Sequence, residues 1–77
     1  HVHSGKLWNT FRDQLPTTSP DVSYGTPEMA EEFRRLFGET DFAAMGIAVM
    51  GGHDEGILSF GDTLEEAAVR VLSLAAA

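Results

Sequence analysis

Residues 43–61 read AAMGIAVMGGHDEGILSFG, and the fold turns on how they are divided. Residues 43–50 are apolar with little alternation. Ile47 and Val49 are β-branched, so this run predicts a strand covered on both faces. Residues 51–56, GGHDEG, carry the glycines and carboxylates of a tight turn. Ile57, Leu58 and Phe60 then predict a second strand ending at Gly61. The two runs form a hairpin with His53 at its bend. A lone hairpin makes a poor core, so more sheet is expected beside it.

Downstream, Asp62 or Thr63 caps a last helix whose apolar side holds Leu64, Ala67, Ala68, Val71, Leu72 and Leu74. Upstream, Pro27 sits in the first turn of a helix capped by Thr26. Met29, Ala30, Phe33, Leu36 and Phe37 form its buried face, and Gly38 is the expected terminator. Glu31 and Arg35 stand four apart, a spacing that supports an ion pair along that helix. Residues 16–26, PTTSPDVSYGT, are a loop, with Tyr24 expected to pack where the loop enters the helix, or else to contact substrate or a neighbouring subunit, and Gly25 allowing an unusual backbone angle. Before the loop, Leu7, Trp8, Phe11 and Leu15 mark a helical stripe over residues 4–15, with Ser4 as its cap. Trp8, Met45 and Met50 are assigned to packing, and Gly51 and Gly52 to the turn. The order is strand end, helix, loop, helix, hairpin, helix: one mixed α/β domain.

The chain has 77 residues, a formal net charge of −7, only five Lys and Arg, and no cysteine. Disulfides and thiolate metal sites are therefore excluded. The acidic balance argues against nucleic acid and against an anionic membrane surface as partners. No apolar run approaches the roughly 20 residues of a bilayer span. No apolar run follows a basic start, so the first residues do not read as a signal peptide, and a cytoplasmic location is expected. A domain this small is marginal on its own core and calls for a metal, a partner or further sequence. The chain opens mid-pattern, which leads us to expect a piece of a longer protein.

The three histidines carry the chemistry. His1 and His3 lie in HVHS, residues 1–4, and residues i and i+2 of a strand point to one face about 7 Å apart. His53 lies on a glycine-flanked turn that can aim it inward. Three neutral imidazoles around an open fourth position make a catalytic zinc site, where the metal acts as a Lewis acid. Two other readings stay open on spacing alone. One is an exposed histidine pair with an unrelated turn histidine. The other is a Cu(II) or Ni(II) ion held in a square plane by a free His1 amine and the His3 imidazole.

Taken together, HVHS (residues 1–4), SYGTPEMAEEF (23–33) and GIAVMGGHDEGILSFGDTLEEAA (46–68) resemble the C-terminal half of the class II aldolase/adducin family. Members of that family show an H-x-H pair closing a strand, a Y-G-T/S-x-E segment opening a helix, and a later H-G turn followed by G-x-x-L-x-E-A. The resemblance runs from His1 to about Leu72. It implies the C-terminal part of a three-layer αβα fold with a mainly antiparallel central sheet, with residues 1–77 as a partial domain. It implies that His1, His3 and His53 bind a divalent metal, usually zinc. It also implies lyase or isomerase chemistry, of aldolase or epimerase type, on a small hydroxy-carbonyl compound or sugar phosphate, the metal stabilising an enediolate. Homotetramers with sites between subunits are the family's habit. Phosphate-binding loops and an acid/base glutamate precede the H-x-H pair in the aldolases, so those parts are expected in an upstream segment, in the same chain or a separate one. Adducin itself, a non-catalytic interaction module on this fold, is the alternative.

The departures are local. The family's N-H-G turn is here Gly52-His53-Asp54-Glu55-Gly56, with two carboxylates inserted. Asp54 and Glu55 are the candidates for proton transfer, or else solvated turn residues. A short stretch between the two first motifs places Trp8 and Arg12 where substrate selectivity can differ.

Overall fold

The computed structural model describes residues 1–76. In chain order these form β1 (Val2–His3), α1 (Gly5–Phe11), α2 (Pro27–Glu39), α3 (Phe42–Met45), β2 (Ile47–Val49), β3 (Gly56–Ser59) and α4 (Leu64–Ala75). The hairpin is present, and it has a third strand. The sheet order is β1-β3-β2 and both pairings are antiparallel. Val2 faces Ile57 and His3 faces Gly56, while Ile47, Ala48 and Val49 face Ser59, Leu58 and Ile57. This is a small mixed helix-and-strand domain, as its alternating segments predict.

Strand alternation sorts the core onto two faces. Ile47, Val49 and Ile57 pack with Leu7 and Trp8 of α1, and with Phe11, Leu15, Val71 and Leu74 at the margin. Ala48 packs on the other face with Leu36 of α2 and Phe42 of α3, joined by Phe33, Leu58 and Phe60. Helices therefore cover both faces, which is why β2 is buried at every position. Its outer edge is closed as well. The Val49 amide donates to the Pro16 carbonyl and the Thr18 amide donates to Val49, both at 2.9 Å. Among the described residues, no helix is long and apolar enough to cross a membrane.

Several local expectations are corrected. The strand predicted over residues 43–50 begins only at Ile47, because Phe42–Met45 is a turn of helix. The Asp41 carbonyl accepts from the amides of Ala44 and Met45, and Gly46 ends the turn in the left-handed region at φ 68°. Met45 is consequently 39% exposed, not core. The helix predicted over 4–15 stops at Phe11. Pro16 disfavours helical geometry at Leu15, and the chain reverses at Asp13, whose φ is 67°. That reversal lays residues 16–18 beside β2.

Helix α2 runs through Gly38 to Glu39. Thr40 terminates it instead, its amide and hydroxyl both donating to the Leu36 carbonyl. Arg35 pairs with Glu32 at 2.9 Å, not with Glu31, and Arg34 takes Glu31. Arg35 also reaches the Thr17 carbonyl, and Glu32 also accepts from the Ser19 amide. Phe37 is half exposed although it touches Phe42 and Phe60, and Ala30 is exposed. On α4 the caps are as predicted, with the Thr63 hydroxyl accepting from the Glu66 amide. Its apolar side is less buried than predicted: Leu64 is 88% and Leu72 65% exposed.

Candidate metal centre

Backbone pairing brings the histidines together. β1 lies along β3 and the Ser4 amide donates to the Glu55 carbonyl at 2.8 Å, so His3 stands at the mouth of the hairpin turn. The turn is fixed by three bonds: Met50 N–H to Gly56 O, Gly56 N–H to His53 O, and His53 N–H to Met50 O, at 2.9, 2.9 and 3.2 Å. Glu55 completes it with a positive φ of 67°. Gly56, opposite His3, leaves a slot into which the His53 ring folds. A Cβ at position 56 would stand 2.5 Å from His53 Cδ2 and 3.0 Å from Met50 Cε.

Gly51 and Gly52 do more than turn the chain. Cβ atoms there would fall 2.2 Å from the Thr18 carbonyl oxygen and 2.0 Å from that of Val22. The missing side chains let residues 18–22 press against the base of the His53 turn. The loop is in turn anchored to α2. Glu32 accepts from the Ser19 amide and from Arg35, and the Arg35 guanidinium, followed by that amide, holds the Glu32 carboxyl below the usual carboxylate range. The same pair raises the Arg35 pKa.

His3 Nε2 lies 3.1 Å from His1 Nε2 and 3.0 Å from His53 Nε2. One ligand nitrogen from each ring falls within 4.8 Å of the others. A neutral imidazole nitrogen offers either one proton or one lone pair. His3 Nε2 thus cannot satisfy both neighbours with two good linear hydrogen bonds. A cation can satisfy all three. Zinc bonds imidazole nitrogen at about 2.0–2.1 Å, and tetrahedral angles then put the nitrogens about 3.3–3.4 Å apart. The donor set fits such an ion, with the His3 pairs slightly closer than this and all three nitrogens within 4.8 Å. His1 and His3 are exposed and His53 partly buried, so the fourth side is open to solvent.

Among the described residues neither Asp54 nor Glu55 joins this group. Both are exposed, and the Glu55 carboxylate lies against Gly5, 3.5 Å from where a Cβ there would stand. That position beside the start of α1 suits a negative charge. Trp8 is buried, its indole N–H donating to the Met50 carbonyl at 2.9 Å, and Arg12 covers its ring at 4.4 Å. Trp8 therefore braces the turn from beneath, in keeping with a packing role.

Tyr24 overturns its expectation. Its ring turns to the histidines. It is 51% exposed and its ring stacks on His53, with centroids 4.5 Å and planes 21° apart. Its hydroxyl is 3.4 Å from His1 Nδ1. Spacing offered no signal for this, because Tyr24 stands 23 residues from His1 and 29 from His53 in a loop.

Fold and site together define a small mixed α/β domain with a candidate three-histidine metal centre at one end of its sheet. Compared with protein-family models, characterised proteins and solved structures, the chain gives no match.

Proposed function

We propose that the chain is the metal-binding part of a metal-dependent lyase or isomerase of class II aldolase/adducin type, acting on a small hydroxy-carbonyl compound or sugar phosphate. The convergence of three imidazole Nε2 atoms from HVHS and GGHDEG carries this reading. Those are two of the three motifs on which the resemblance rests. The metal proposed is zinc, held by His1, His3 and His53. When bound, it supplies a fixed positive charge that polarises a substrate oxygen. The chain's part is to orient the three rings and leave one side open. An acid/base group and a phosphate site would come from a further segment or a neighbouring copy, with assembly as a homotetramer. A cytoplasmic location accords with the absence of cysteine.

A second reading is a non-catalytic interaction module on the same fold. The exposed Leu64 and Leu72 of α4 favour it, as does the lack of a carboxylate in the histidine group among the described residues.

Elemental analysis after purification without chelators separates the two. Close to one equivalent of zinc or another divalent transition metal is expected. Less than about one-tenth equivalent, with refolding in excess metal also failing, rules out the metal-enzyme reading. His53→Ala is expected to weaken zinc binding by more than the roughly 10–100-fold typical of changes to groups behind the ligands. Binding that survives His53→Ala but vanishes when residues are added before His1 would instead indicate the square-planar terminal site.

A further inference from the structure

Tyr24 touches two of the three histidines from outside the cluster, by two different means. Its ring lies face to face with His53. Its hydroxyl addresses Nδ1 of His1, the nitrogen on the far side of the ring from the one that meets His3. An imidazole that offers Nε2 to a cation carries its proton on Nδ1, and a hydrogen-bond acceptor placed there selects that tautomer.

We infer that Tyr24 is a positioning residue for the metal centre, its hydroxyl fixing the tautomer of His1 and its ring fixing the plane of His53. This rests on the histidines being metal ligands. The backbone around Tyr24 is built to hold it there. Gly25 follows in the left-handed region at φ 81°, which turns the chain from the loop into α2. The Thr26 hydroxyl donates to the Ser23 carbonyl at 2.7 Å and accepts from the Met29 amide. Tyr24 is thus pinned between two residues tied to the cap of α2, and its side chain reaches back across to the sheet.

Tyr24 is exposed, so its replacement leaves the core intact. The probes are zinc, titrated against a chromophoric chelator, and Co(II), read by its ligand-field absorption. Tyr24→Ala is expected to lower zinc affinity about 10–100-fold and to alter the Co(II) band. Thermal unfolding of the metal-free protein should not change. Tyr24→Phe keeps the stack and loses the hydroxyl, so it should recover part of the affinity but not all. Tyr24→Ala binding zinc like the parent would overturn the proposal. So would an affinity loss matched by a fall in the metal-free unfolding temperature, which would make the role merely structural. Tyr24→Phe equal to the parent would remove the hydroxyl's part. A parent protein that binds neither metal would overturn the underlying reading of the histidines, an outcome distinct from the others.

Discussion

At the residue scale the decisive position is one without a side chain. Gly56 is paired with His3 and leaves room for the His53 ring, so the third candidate ligand depends on an absence opposite the second. Gly56→Ala is expected to displace that ring. The overpacking should cost about 1–3 kcal/mol, measured by denaturant unfolding, and zinc affinity should fall with it. A variant with unchanged affinity would mean that the ring is not held by that slot. The histidines themselves were legible in the sequence, because strand periodicity puts His1 and His3 on one face and glycines mark His53 as a turn residue. The slot at Gly56 and the stacking of Tyr24 on His53 were not. Their roles arise from contacts between segments far apart in the chain, which periodicity does not encode.

At the scale of elements, the hairpin, α2 and α4 could be read from residue pattern and capping chemistry. Their ends could not always be. AAM before Gly46 reads equally well as buried strand or as one helical turn, and the left-handed Gly46 decides for the turn. Loop 16–22 looked like a connection, yet it lines the edge of β2 and braces the His53 turn. The Glu32–Arg35 pair holds it to α2. Glu32 has a folded pKa below its unfolded one. Its contribution is therefore present above the unfolded value of about 4.3 and lost as pH falls through the folded value. Glu32→Gln is expected to reduce stability at pH 7 by about 1 kcal/mol, the pair being partly exposed. The difference from the parent should shrink in melting curves taken below pH 4. A constant difference across that range would show that the carboxylate's charge is not what anchors the loop.

At the scale of the molecule, two apolar clusters share one thin sheet. Leu36 and Phe42 are almost wholly buried, while α4 buries none of its residues fully. Leu36→Ala should therefore cost about 2–5 kcal/mol, a large share of what so small a domain has, whereas Leu72→Ser should stay within about 0.5 kcal/mol. Chemical unfolding of both variants tests the contrast. A large effect at Leu72 would show that α4 is covered in solution. The candidate metal centre also belongs to this scale, since His3 and His53 are 50 residues apart. Zinc that binds only the folded chain should stabilise it by about 2.7 kcal/mol at a hundredfold excess over its dissociation constant. Melting with and without a chelator measures this, and an unchanged midpoint would separate the ion from the fold.

The two borders of the sheet are unequal, and that sets its valence. Beside β2, residues 16–18 occupy the hydrogen-bonding row, and Arg35 reaches the Thr17 carbonyl on its outer side. Beside β1, no strand is paired among the described residues, and β1 is only two residues long. A sheet open on both sides can recruit copies without limit. Among the described residues this sheet is lined beside β2 and unpaired beside β1, so two copies joined antiparallel by that border would each spend the one they have. Pairing by that route alone would close at two copies and leave nothing for a third to join.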